Sequence, residues 1–109
     1  MSRSYAKQTV VNNISFIEFY HPSHNSLPGD ILHNLVELIK NAGDNDDVRV
    51  IVLQSGGDRT FCAGASFTEL VTISDEKSGM IFFSGFAKLI NAMRTCPKFI
   101  IGRIQGKTV

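Results

Sequence analysis

The sequence has no tryptophan, only two cysteines and only three prolines among its 109 residues. Cys62 and Cys96 are too few for a disulfide framework, and they lack the Cys-x-x-Cys spacing of a metal or redox motif. Both read as buried, reduced thiols. No apolar run approaches the ~20 residues that a membrane helix requires. The start, Met1 to Lys7, lacks the apolar core of a secretory signal, so the expected location is the cytoplasm. Neither sign of charge dominates, because eleven Lys and Arg face ten Asp and Glu, a formal charge of +1. Without a basic stripe, neither nucleic acid nor an anionic membrane is an expected partner. His21 and His24 have no further His or Cys at ligand spacing, and the acidic residues from Asp44 to Asp47 lack the spacing of a calcium loop. No metal site is expected.

What is present is the balance of one globular unit, 43% hydrophobic and 19% charged. Val10 to Tyr20 sets Val11, Ile14, Phe16 and Phe19 among polar residues, which predicts one or two strands with a turn near Asn12-Asn13. His21 to Ser26 is turn-rich, and Leu27-Pro28 suits the start of a helix. Apolar residues at 31, 32, 35, 38, 39 and 42 then draw one helical stripe, which Gly43 is expected to end. Val48 to Leu53 is a near-continuous apolar run bounded by Gly56-Gly57, the pattern of a buried parallel strand. From Asp75 to Arg94 a second helix places Phe82, Phe86, Leu89, Ile90 and Met93 on one face, with acidic residues at its start and Arg94 at its end. Cys96-Pro97 ends it, and Lys98 to Ile104 reads as another buried strand running to Gly106. Strands alternating with helices predict an α/β fold with right-handed crossovers.

The segment that carries chemistry lies past the first buried strand: Gly57-Asp58-Arg59-Thr60-Phe61-Cys62-Ala63-Gly64-Ala65-Ser66-Phe67-Thr68-Glu69-Leu70. With Asn25-Ser26-Leu27 ahead of the first helix, the Val50 to Leu53 strand, and Pro97-Lys98-Phe99-Ile100 leading into Gly106, it resembles the enoyl-CoA hydratase/isomerase (crotonase) family. The matches span nearly the whole chain in the family's order. The resemblance implies a partial crotonase-like spiral of ββα units, with residues 1–109 as the amino-terminal part of one acyl-CoA-binding domain that is cut short on its carboxy-terminal side.

It also implies roles. The N–H of Ala65 would donate to a thioester oxygen, aided by a helix N-terminus, and stabilise the enolate that develops there. Gly64 would allow the close approach. Ala63 and Ala65 would offer backbone carbonyls to the adenine of coenzyme A, with Ser66, Phe67, Thr68, Ser26 and Leu27 as further substrate-binding positions. At Ser66 many family members have Asp, and at Thr68 some have Lys near the phosphates, so this sequence departs from the pattern there. Coenzyme A would be part of the substrate, with no separate cofactor. The family's second oxyanion donor and its paired glutamates fall beyond Val109, so the chain is expected to be inactive alone, as part of a lyase or isomerase of fatty acid metabolism. The resemblance further implies that the full-length protein is a trimer or hexamer.

Two alternatives are open at this stage. One is a non-catalytic binding or assembly module. The other is a phosphate-binding loop at Gly102-Arg103-Ile104-Gln105-Gly106-Lys107-Thr108, which has one spacer residue too few for Gly-x-x-x-x-Gly-Lys-Thr.

Overall fold

The computed structural model describes residues 3–109; Met1 and Ser2, the first residues of the Met1 to Lys7 start that lacks the apolar core of a secretory signal, lie outside the described residues. The chain opens with a hairpin, β1 (Tyr5–Val11) against β2 (Ile14–Tyr20). Asn12 and Asn13 both take positive φ, 52° and 67°, at its tip. Two consecutive left-handed residues match the right-handed twist of the flanking strands, and asparagine tolerates that conformation better than most residues. A short strand, β3 (Ser26–Leu27), then leads to helix α1 (Gly29–Asp44), followed by β4 (Val50–Ser55). Two further short strands, β5 (Thr60–Cys62) and β6 (Gly64–Ala65), precede the single turn α2 (Phe67–Leu70) and the long helix α3 (Glu76–Thr95). The last elements are β7 (Phe99–Gly102) and β8 (Lys107–Thr108).

The main sheet has the order β1-β2-β4-β7, antiparallel at the hairpin and parallel thereafter. Each parallel step is bridged by a helix, as parallel pairing requires. The short strands form two separate ladders, β3 with β6 and β5 with β8. A long strand in the main sheet, a short strand outside it and a helix therefore recur along the chain. This is the α/β pattern of ββα units that the sequence predicts.

The core lies between one face of the sheet and α1. Ile17 and Ile51 from the strands meet Leu32, Leu35 and Ile39 from the helix, all fully buried, and α3 adds Leu89 and Ala92. Burying each large aliphatic side chain stabilises the fold by about 1.5–3 kcal/mol. The two helices run side by side: Gly85 of α3 lies against Leu32 near the start of α1, and Gly43 near its end lies against Cys96 and Pro97. Gly43 is inside the last turn of α1, whose C-cap is Asn45, so it serves close packing and does not stop the helix. Pro28 is the N-cap and not the first helical residue.

Along β2 the buried residues are Ser15, Ile17 and Phe19, so Ile14 and Phe16 point to the opposite face from Phe19, as strict alternation requires. Three expectations are corrected. On α3, Ile90 is 53% exposed and Ala92 takes its place in the core. β7 is not buried: Phe99 is 83% and Ile101 54% exposed, because β7 is an edge strand and only Ile100 of its residues packs on the core. Cys96 is likewise only half-buried, whereas Cys62 is buried.

The other face of the sheet is apolar around Phe16 and Val52 and polar at the end where Tyr5, Glu18 and Gln54 meet. Glu18 accepts from the Tyr5 hydroxyl and from Gln54 Nε2 at 3.0 Å, with Lys7 Nζ 3.7 Å away. Burial and the bond to the Glu18 carboxylate push the Tyr5 phenol up to about 12.

Ser15 faces the core fully buried, and its Oγ has no hydrogen-bond partner among the described residues. An unsatisfied buried hydroxyl costs about 1–3 kcal/mol. Ser15→Ala is therefore expected to leave urea stability unchanged or raise it by about 1 kcal/mol; a clear loss would mean that the hydroxyl is satisfied.

Candidate functional site

The site is assembled where the chain ends of β2 and β4 turn out of the sheet. His24 and Asn25 hold positive φ, 54° and 57°, so the segment after β2 doubles back on itself. The Asn25 side chain is buried and makes three bonds that lock this turn. Its Nδ2 donates to the carbonyls of Gly56 (2.9 Å) and Thr60 (2.7 Å), and its Oδ1 accepts from the His21 N–H (2.9 Å). One side chain thus ties the loop before β3 to the loop before β5. In the sequence Asn25 stands only within the Asn25-Ser26-Leu27 match, and its one local signal is an asparagine in a polar turn.

With that tie in place, β3 pairs with β6 in parallel, Ser26 opposite Gly64 and Leu27 opposite Ala65. Gly64 needs its missing side chain, because its φ is +94°, a conformation other residues adopt only under strain. The N–H groups of this segment then sort by direction. Ala63 donates to the Asn25 carbonyl (3.4 Å), Gly64 to Cys62 Sγ (3.3 Å) and Ser66 to the Leu27 carbonyl (3.2 Å). In a parallel ladder one residue of each pair makes both bonds and its partner faces away. Because Leu27 accepts from Ser66, it is the bonding member of its pair, and the Ala65 N–H points away from β3.

The other positions singled out in the sequence fall around this strand. Ala63, Gly64 and Ala65 are half-buried, whereas Phe67 is 75% exposed and Thr68 is exposed on the single turn of α2. Ser26 and Leu27 are buried: Ser26 Oγ lies 3.4 Å from His21 Nδ1, and Leu27 packs into the core. Ser66 is buried and its Oγ accepts from the Glu69 N–H at 3.3 Å, so it is the N-cap of α2. Serine and aspartate are interchangeable in that role. The departure from Asp at this position keeps the cap and loses the charge.

One expectation about the local geometry changes. The Ala65 N–H belongs to an extended strand, not to a helix N-terminus, and α2 begins two residues later with its cap already filled. The start of α1 is filled as well: Pro28 offers no side-chain cap, and the Glu69 carboxylate accepts from the Gly29 N–H at 3.0 and 3.2 Å. Burial pushes the Cys62 thiol up, opposed by the Gly64 N–H, which favours the neutral thiol packed in the core.

The loop from Gly102 to Thr108 does not cradle phosphate. Lys107 N–H donates to the Arg59 carbonyl (3.2 Å) and Val109 N–H to the Cys62 carbonyl (2.9 Å), so both are spent on pairing β8 with β5. A Cβ at Gly106 would stand 1.8 Å from the Arg59 carbonyl oxygen, which accounts for the glycine by crowding. Among the described residues no cluster of three metal-ligating side chains occurs, and no helix is long and apolar enough to cross a membrane.

Comparison with known proteins decides the family. The model of the enoyl-CoA hydratase/isomerase family matches residues 9–109. The chain belongs to that family. It is 27% identical over 101 residues to the Caenorhabditis elegans protein B0272.4, covering 90% of this chain and 38% of that one. It is 26% identical over 87 residues to YngF of Bacillus subtilis, covering 78% of this chain and 32% of that one. Among solved structures, Pseudomonas aeruginosa DspI superposes with a TM-score of 0.86 at 24% identity, covering 93% of this chain and 38% of that chain. The enoyl-CoA hydratase of Bacillus halodurans gives 0.85 at 20% identity, covering 94% and 43%. These two show the shared fold, the partial crotonase-like spiral. The chain spans about two-fifths of the length of the relatives it matches.

Asn25→Ala leaves the Gly56 and Thr60 carbonyls without their donor and puts a less tolerant residue at positive φ. It is expected to lower unfolding free energy by about 2–3 kcal/mol in urea. Asn25→Asp keeps the shape but turns the donor into an acceptor, and should cost at least as much.

Proposed function

We propose that this chain is the acyl-CoA-binding part of an enoyl-CoA hydratase/isomerase, in which the Ala65 N–H is one donor of an oxyanion hole. The observation that carries the reading is directional. Of the four consecutive N–H groups from Ala63 to Ser66, three donate to partners within the protein and the one on Ala65 faces outward from a half-buried strand. A fixed backbone donor costs no reorganisation when charge develops on a thioester oxygen, and the loss of one such donor typically costs about 2.7–4 kcal/mol of transition-state stabilisation. Family membership supplies the substrate class, with coenzyme A carried on the substrate and its adenine near the Ala63 and Ala65 carbonyls.

On this reading the 109 residues bind and polarise a thioester without turning it over, because the second donor and the paired glutamates of the family have no counterpart among them. The complete enzyme would be a cytoplasmic lyase or isomerase of fatty acid metabolism, assembled as a trimer or hexamer. In amide exchange, saturating acetyl-CoA should slow Phe61 to Thr68, and free coenzyme A should leave the Ala65 amide as fast as in the unliganded protein. An Ala65 amide indifferent to the thioester would overturn the assignment.

A second reading, a module that binds other chains without catalysis, is favoured by one observation. Phe67, Val71, Met80, Ile81 and Phe83, on α2, just after it and on α3, are each more than half exposed. It predicts concentration-dependent self-association in sedimentation velocity, and a strictly monomeric chain would remove it.

A further inference from the structure

β7 forms one edge of the main sheet, and its backbone groups divide by direction. The Arg103 N–H donates to the Leu53 carbonyl at 2.9 Å, in a parallel register that sets Val52 beside Ile101 and Leu53 beside Gly102. Alternate residues of a parallel ladder bond to the same neighbour, so Phe99, Ile101 and Arg103 spend their groups on β4. The N–H and C=O of Ile100 and Gly102 face the open edge. From Phe99 to Gly102 there is no charge, no proline and no break in the register, which are the usual deterrents to edge pairing. The opposite edge, β1, carries Lys7.

The side chains along this edge are complementary to their own copy. On the outer face Phe16, Val52 and Ile101 stand in one row across three strands, and the row stops at the edge with Ile101 54% exposed. On the inner face Gly102 leaves a gap. A Cβ there would meet only the Ile104 side chain, at 3.8 Å, and a notch of about 460 Å³ opens beside Leu53, Met93 and Ile100. We infer that two copies of this chain pair antiparallel along β7, about a two-fold axis at Ile101, and join their sheets into one. In this register Ile100 of each protomer faces Gly102 of the other, so the groups at the open edge bond to one another and each isoleucine fills the other's glycine gap. Ile101 meets its own copy across the axis, which continues the outer row, and Phe99 faces the partner's Arg103 guanidinium. A register centred on Ile100 would set Lys98 opposite the glycine instead, although the Lys98 ammonium is held by the Ala42 and Asn45 carbonyls.

Side chains of this number and size bury about 400 Å² on each copy, half the ~800 Å² of a stable interface, so the dimer is weak. Sedimentation velocity from about 10 μM to 1 mM, the range a weak interface requires, should show monomer passing to dimer. The Ile100 and Gly102 amides should exchange more slowly as concentration rises. Ile101→Lys sets like charges opposite each other at an exposed position, so that chain should stay folded and monomeric. Ile81→Lys, on the exposed face of α3, should leave the dimer unchanged. Crosslinking reads the register. Ile101→Cys stands about 4.5 Å from its copy at Cα and should form an intermolecular disulfide on oxidation above the wild-type level, whereas Phe99→Cys, about 13 Å from its copy, should not. A monomer at every concentration overturns the inference, and so does a dimer that survives Ile101→Lys or is lost with Ile81→Lys. Equal crosslinking of the two cysteine variants overturns the register.

Discussion

The arrangement of the site depends on the Asn25 side chain. Its amide bridges the carbonyls of Gly56 and Thr60, before and after the turn that leads out of β4, and among the described residues no other side chain joins the His21–Asn25 turn to both of them. Without that bridge β3 and β6 would rest on a ladder of two residues each, far below what isolated strands need to hold together. Because the bonds are buried and made to carbonyls with few other partners, they act as a constraint on register and not only as a source of stability. The outward aim of the Ala65 N–H follows from that register.

Helix ends show the same economy of exchange between distant parts of the chain. α1 begins at a proline that cannot cap it, and the missing acceptor arrives from Glu69, which belongs to α2. α2 is capped by its own Ser66, and α3 by Asp75 in a reciprocal arrangement with Ser78. At the other end of α1, Lys98 Nζ reaches the carbonyls of Ala42 and Asn45, placing a positive charge where the helix dipole is negative. Three helices and the site strand are thereby coupled at their termini, where backbone groups would otherwise go unsatisfied.

Exposure also carries meaning. α1 and α3 cover the inner face of the sheet, while Tyr5, Glu18, Gln54 and Arg103 form a polar network at one end of the outer face. β7 packs on the core only through Ile100, its other face is apolar and exposed, and it sits at the sheet edge. Edge strands with apolar faces are where sheets accept further partners.

The sequence by itself determined the α/β class, the two long helices and the parallel strand at Ile51, because periodic apolar residues report which face of a local element must leave water. It also located the Phe61 to Ser66 segment, through its resemblance to the enoyl-CoA hydratase/isomerase family. Tertiary structure alone decided which apolar residues are inside. Ser15 is buried and Phe16 is not, because a strand's two faces are assigned by what packs on them and not by its own composition. The same holds for β7, whose apolar run signals a buried strand while its place at the edge leaves it exposed. Tertiary structure alone also decided the direction of the Ala65 N–H and the filling of the α1 cap. Both depend on hydrogen bonds between residues far apart in the chain, and local sequence does not encode which distant carbonyl or carboxylate will arrive.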